Sequence, residues 1–89
     1  MTILMTKVIR FTAEWCGPCK AYAPIFNNVS GTTPGVVFET IDIDAHSEVA
    51  AQYGVRSVPT TIIEKGGRTI FQKSGIMGET ELRQTVASH

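Results

Sequence analysis

The sequence predicts an α/β fold in the order β-α-β-α-β-β-α, with a four-stranded mixed sheet and three helices on both of its faces. Three observations support this fold class. Short runs rich in β-branched residues alternate with amphipathic segments, a Gly-Gly pair joins two such runs, and a helical pattern ends the chain. A strand-helix-strand unit forms a right-handed parallel crossover, whereas a Gly-Gly turn closes an antiparallel hairpin, so the sheet should be mixed.

The first strand leads directly into the first helix. Residues 7–13 are rich in β-branched and aromatic side chains, which favours a buried strand. From Cys16 onward, apolar residues recur at steps of three and four, as expected for one face of a helix. That face consists of Cys19, Tyr22, Phe26 and Val29. Residues 31–35 have turn composition, and 36–43 alternate well enough to form the second strand.

A short second helix is expected to end at Tyr53. Asp44 or Ser47 could cap its N-terminus, and Gly54 could take the left-handed conformation that often follows a helix. Two more strands, 60–64 and 69–73, flank the Gly-Gly turn.

A loop at 75–78 then leads into a last helix over 79–88. It completes the predicted order of elements.

Composition narrows the functional classes. The chain has 89 residues, 43% of them hydrophobic, which suits one domain over 1–89. Eight basic residues balance eight acidic ones without long runs of either sign, so we expect neither nucleic acid nor a membrane surface as a partner. No segment has membrane-spanning length, and residues 1–5 are too few for a signal-peptide core. We therefore expect a cytoplasmic monomer.

The two cysteines are the strongest candidates for chemistry. Cys16 should lie at the start of a helix, where unpaired N–H groups and the helix dipole stabilise a thiolate. Cys19 lies one turn further on and on the same side, where it could resolve a mixed disulfide formed on Cys16. Gly17 and Pro18 complete the loop, and Pro18 restricts its rearrangement between redox states. A Cys-x-x-Cys pair near a βαβ pattern indicates thiol–disulfide exchange.

Other uses of the cysteines fit less well. A zinc or iron–sulfur site usually needs four ligands, and the chain adds only His46 and His89, so no metal is expected. A purely structural disulfide over so short a loop would constrain little chain entropy. No spacing brings His46 to the cysteines, and helix capping is the simpler role for Asp42 and Asp44.

The sequence resembles the thioredoxin family over nearly everything from Lys7 onward. The most specific part is Trp-Cys-Gly-Pro-Cys at 15–19, within a longer similar stretch at 11–20. The other residues that carry the resemblance are Pro24, Asp44, 53–60, the Gly66-Gly67 pair and Gly75. The resemblance implies a thioredoxin fold and an enzyme that reduces protein disulfides.

The resemblance also implies a substrate site. In that family, the proline that matches Pro59 is cis and faces the cysteine pair, and the residue that matches Val58 offers its backbone to the substrate as a short antiparallel strand. Trp15, Gly75 and Ile76 would complete an apolar rim around the nucleophile. No cofactor is implied beyond the redox-active disulfide. A thioredoxin reductase would supply electrons, and ribonucleotide reductase is one implied partner.

Two features depart from the family pattern. The six residues before Lys7 leave no room for the extra strand and helix of common thioredoxins, so an edge strand should be exposed, to be covered by residues 1–5 or by a partner. Where thioredoxins carry a buried Asp this chain has Arg10, and where they carry its Lys partner it has Thr40. Arg10 either stabilises the Cys19 thiolate by its charge or extends past the missing strand into solvent.

A different class of function is the alternative. The domain could be a non-enzymatic interaction module that holds a larger protein, with its redox chemistry incidental. Serine substitutions of Cys16 and Cys19 would separate the two readings, because only the enzyme needs both thiols.

Overall fold

The computed structural model describes residues 4–89 and confirms the predicted order of elements. The elements are β1 (Thr6–Thr12), α1 (Gly17–Gly31), β2 (Val37–Asp42), α2 (Ser47–Gln52), β3 (Thr60–Lys65), β4 (Arg68–Ser74) and α3 (Glu79–Ala87). Within this described part of the chain, no helix combines the length and apolarity needed to cross a bilayer.

The sheet is mixed, with the strand order β2-β1-β3-β4. β1 runs parallel to β2 and antiparallel to β3, and β3 and β4 form the predicted hairpin. Gly66 and Gly67 form its turn with φ of 59° and 81°, the left-handed region that glycine adopts without a steric penalty. Because β1 pairs with a strand on each side, its C-terminal end is held in place by both neighbours.

Helices cover both faces of the sheet, as predicted. On one face, α1 and α3 pack against the sheet through a cluster of eight buried residues: Val8, Tyr22, Phe26, Val29, Ile63, Met77, Leu82 and Val86. On the other face, Ala50 of α2 packs in a cluster with the strand residues Ile9, Phe11, Ile41 and Ile62. Successive side chains of β1 enter opposite clusters, because a strand points alternate residues to opposite faces. This double burial positions the segment that follows β1.

The predicted cap of α2 was wrong. The N-cap residue is His46, whose side chain makes no capping hydrogen bond, rather than Asp44 or Ser47. The Asp42 carboxylate instead accepts the N–H groups of Asp44 at 2.8 Å and Ala45 at 3.1 Å. Because Asp42 satisfies this turn at the end of β2, the helix starts later than a cap at Asp44 would require.

The expected cover for the edge strand is not provided by the described N-terminal residues. The Met5 carbonyl accepts the N–H of Gly66 at 3.2 Å, so Met5 lies at the β3–β4 turn rather than along β2. Residues 1–3, which belong to the same expectation, lie outside the described residues. Within 4–89, β2 pairs with β1 alone.

Tyr53 connects α2 to the sheet and gives a prediction for alkaline pH. Its hydroxyl donates to the Glu64 carboxylate at 2.8 Å, and its ring lies 5.5 Å from that of Phe11. Burial and the Glu64 carboxylate raise the pKa of Tyr53 to about 12. An unfolded chain loses this proton near pH ~10, so the folded state holds more protons above that pH and its stability falls.

We expect urea midpoints to fall less in Tyr53→Phe than in the wild type between about pH 9 and about pH 12. Burial also raises the pKa of Tyr22, but that contribution is common to both proteins. Parallel pH curves would show that Tyr53 is not the source of the alkaline loss.

Candidate active site

The cysteine pair lies where β1 gives way to α1. Cys16 is the N-cap residue of α1, and its sulfur accepts the backbone N–H of Cys19 at 3.1 Å. The two sulfurs form a disulfide, with the Cα atoms 5.3 Å apart. Cys16 is 4% exposed and Cys19 is 1% exposed. After reduction, the same N–H group and the helix dipole would stabilise a thiolate on Cys16.

The loop between the cysteines is open to solvent. Gly17 and Pro18 are both exposed, and Pro18 occupies the first turn of α1, where its missing N–H removes no helical hydrogen bond. Gly17 has a free space of at least 4 Å where a side chain would begin, so nothing within the described chain closes over it. This loop is therefore accessible to an approaching molecule, although both cysteines are buried.

A second loop packs against the disulfide. The Val58-Pro59 peptide bond is cis, as the resemblance implied, and the Val58 carbonyl oxygen lies 3.7 Å from the Cys16 sulfur. The N–H of Gly75 donates to the Pro59 carbonyl at 2.8 Å, and Gly75 has a φ of 95°. A side chain at Gly75 would be strained in this conformation. The fold thus brings Val58, Pro59 and Gly75 together beside Cys16.

Two large apolar side chains near this loop remain exposed. Trp15 is 69% exposed and Ile76 is 43% exposed. The Trp15 ring nitrogen donates to the Asp44 carboxylate at 2.8 Å, which fixes the indole at the edge of the site. Sequence reasoning missed this role for Asp44, because the two residues are 29 positions apart and no spacing rule links them.

Arg10 is buried rather than extended into solvent. It is 8% exposed, so the interpretation in which it reaches solvent was wrong. Its guanidinium carbon lies 5.6 Å from the centre of the Phe26 ring, and one terminal nitrogen donates to the Thr40 hydroxyl at 3.3 Å. Nε has no hydrogen-bond partner, and burial lowers the pKa of Arg10 from its ordinary value. Arg10 and Thr40 are also directly paired across β1 and β2.

A cavity of about 200 Å³ connects Arg10 with the second cysteine. Its lining consists of Arg10, Thr12, Ala13, Glu14, Cys19, Lys20, Ala23 and Asp42. The cavity brings four charged residues from β1, the following loop, α1 and the end of β2 to one side of Cys19. Only the fold makes them neighbours, so the sequence pattern did not reveal this group.

The residues considered for a metal do not converge. His46 begins α2 and lines a separate cavity of about 310 Å³ with Glu39, Thr40, Ile41 and Val49. Among residues 4–89 there is no group of three or more His, Cys, Asp or Glu side chains placed to hold an ion.

The comparisons with known proteins agree with this geometry. The family model described as Thioredoxin matches residues 4–88. Thioredoxin-1 of Caenorhabditis elegans is 39% identical over 82 residues, covering 92% of this chain and 70% of that protein. Thioredoxin 1 of a Nostoc species is 36% identical over 83 residues, covering 92% and 78%.

The structural comparison gives the same family. The X-ray structure of Fasciola hepatica thioredoxin superposes with a TM-score of 0.89 at 38% identity, over 96% of this chain and 81% of that one. With the Cys16–Cys19 disulfide at the start of α1, the chain belongs to the thioredoxin family and is a thiol–disulfide oxidoreductase.

Proposed function

We propose that the protein reduces disulfides in other proteins, with Cys16 as the nucleophile and Cys19 as the resolving thiol. The observation that supports this assignment best is the N-cap position of Cys16, whose sulfur accepts the N–H of Cys19. A sulfur that already accepts a backbone hydrogen bond at a helix N-terminus is stabilised as the anion that attacks.

The exchange takes place in two steps. The Cys16 thiolate attacks one sulfur of the substrate disulfide, and the other substrate sulfur leaves as a thiolate. The Cys19 thiolate then attacks the Cys16 sulfur of this mixed disulfide, forms the Cys16–Cys19 bond and releases the second substrate sulfur. Two electrons pass from the cysteine pair to the substrate, and solvent supplies protons to the released thiolates.

Substrate binding is proposed to use main-chain contacts at Val58. An extended segment lying beside Val58 and Pro59 could pair with the Val58 backbone and bring its disulfide to Cys16. The Val58 carbonyl oxygen lies 3.7 Å from the Cys16 sulfur, which supports placing the substrate segment beside Val58. The exposed Trp15 and Ile76 side chains, with Gly75 between the loops, would supply apolar contacts that depend little on substrate sequence.

The cellular setting is proposed in keeping with the family. We propose that residues 1–89 act as one monomeric domain in the cytoplasm, and that the disulfide needs no added cofactor. A thioredoxin reductase would return electrons to the pair, and ribonucleotide reductase is a candidate substrate. The equal numbers of acidic and basic residues fit protein partners better than nucleic acid.

Reduction of insulin disulfides tests the proposal. With dithiothreitol as the electron source, we expect the protein to accelerate insulin precipitation well above the rate with dithiothreitol alone. A parallel assay with NADPH and a purified thioredoxin reductase tests the electron source separately. The matched control is the same protein, reduced and then alkylated at both cysteines. If the unblocked protein were no faster than this control, the reductase function would be lost and the interaction module favoured.

A further inference from the structure

We propose that Arg10 prepares Cys19 for the resolving step by stabilising its thiolate across the cavity that both residues line. The inference rests on the proposed role of Cys19. Arg10 would act through its charge alone, because an arginine side chain does not give up its proton in a protein and has no acceptor atom for another.

The first observation is a buried cation without a counter-ion. Arg10 contacts the neutral Thr40 hydroxyl and the Phe26 ring, and its Nε has no partner. Within 4–89, the ion pairs join other residues: Lys7 with Glu39 and Glu64, Lys73 with Glu81, and Arg83 with Glu79. Removing a charge from water is costly unless an opposite charge compensates. A new anion beside this cavity would therefore be favoured.

The second observation concerns the other charges that face Cys19. Lys20 and Glu14 line the same cavity but are exposed, so solvent screens them. Asp42 is half-buried, and one of its carboxylate oxygens accepts two backbone N–H groups. Tyr22, one turn beyond Cys19, is neutral near pH ~7 with the ordinary pKa of a tyrosine, and burial raises that pKa further. Arg10 is thus the buried charge at this cavity.

The remaining neighbours of Cys19 are uncharged. Ala13 and Cys16 form a buried cluster with it, and Ile43 and Val58 pack against that cluster. Such an apolar setting would normally raise the pKa of a thiol. A thiol that must attack from this position needs an opposing influence, and in low dielectric the Arg10 charge acts over a longer range than a surface charge would.

In this scheme the Cys19 proton goes to solvent and not to a buried carboxylate. The Cys19 thiol releases its proton to solvent through the open cavity, and the resulting thiolate is held by the Arg10 charge. Attack on the Cys16 sulfur then forms the intramolecular disulfide, and the second substrate sulfur leaves with the bonding electron pair. Arg10 is a positioning residue in this scheme, because it neither touches the substrate nor moves a proton.

The reaction of the reduced protein with one equivalent of dithiobis(nitrobenzoate) tests the inference, because Cys19 then has no second reagent molecule to attack. Attack by Cys16 releases one nitrothiobenzoate, and attack by Cys19 on the mixed disulfide releases a second. We expect Arg10→Met to slow the second release about tenfold near neutral pH and to move its rate profile to higher pH. The first release should change far less. Arg10→Lys, which keeps the charge, should recover most of the rate.

Two controls make the result specific. Lys20→Met removes an exposed cation from the same cavity and should leave the second release near the wild-type rate. Cys19→Ser tests the underlying function: it should keep nitrothiobenzoate bound to Cys16 as a mixed disulfide, which the wild type should release, and a wild type that keeps this adduct would remove the resolving role itself. Should Arg10→Met fail to fold, Arg10→Gln replaces it with the same expectation. A neutral variant that folds, with an unchanged second release and pH profile, would overturn the proposal.

Discussion

Replacing Cys16 with serine is expected to lower the rate of insulin reduction by about a thousandfold or more, to the level without the protein. A serine hydroxyl at the N-cap of α1 can still accept the N–H of Cys19, so the helix should start normally. It cannot form a thiolate at neutral pH, however, and the first step fails. Helical circular dichroism close to that of the wild type would separate this loss from unfolding.

Cys19→Ser should give a different result. Cys16 keeps its helix-terminal position and can still attack, but no thiol remains one turn away to release the product. We expect a mixed disulfide with the substrate to accumulate, visible by intact-mass spectrometry as one covalent partner per chain and lost on adding dithiothreitol. The two serine variants control for each other. An adduct that forms as readily on Cys19 of Cys16→Ser would contradict the assignment of Cys16 as the nucleophile.

Local chemistry explains why much of the fold could be predicted. The stripe of Cys19, Tyr22, Phe26 and Val29 is buried on α1, since their spacing alone determines which face they share. The Gly66-Gly67 turn has both positive φ angles that its hairpin requires. The start of α2 could not be predicted in the same way. Asp42 accepts the backbone N–H of Asp44, and Trp15, 29 residues away, donates to the Asp44 carboxylate, so Asp44 is held outside the helix.

In the candidate site, too, residues close in sequence could be predicted and residues brought together by the fold could not. The cysteines and their helix are adjacent in sequence, so their geometry follows from a short motif. Val58 and Pro59 came from the family resemblance, because no periodicity joins them to Cys16, 42 residues before Val58. The sequence did not determine whether the Arg10 side chain points toward Cys19 or into solvent. Its burial depends on Phe26 and on Thr40, which lies 30 residues away and became its neighbour only when β1 and β2 paired.

Substitutions at the paired positions Arg10 and Thr40 are expected to have a large effect on the free energy of unfolding. Arg10→Asp restores the acid of the family but without a cation, and we expect it to lower the free energy of unfolding by about 3 kcal/mol near neutral pH. Burial would raise the pKa of the new carboxyl above its value of about 4 in the unfolded chain. The unfolded state then loses the proton first, so the destabilisation grows as pH rises between those two pKa values.

Adding Thr40→Lys should recover about 1–3 kcal/mol of the loss, because Thr40 is the cross-strand partner of Arg10 and a lysine there can reach the new carboxylate. Urea unfolding of the wild type, both single variants and the double variant completes the cycle. Thr40→Lys alone should cost about 1 kcal/mol, because it removes the hydroxyl that accepts from Arg10 and places a second cation beside it, although the exposed lysine can turn to solvent. A double variant no more stable than Arg10→Asp would mean that the two positions do not form one electrostatic unit. Recovery would mean that the fold is stable with an arginine at position 10 facing a threonine at position 40, or with an aspartate facing a lysine. An aspartate at position 10 without a lysine at position 40 would be the unstable combination.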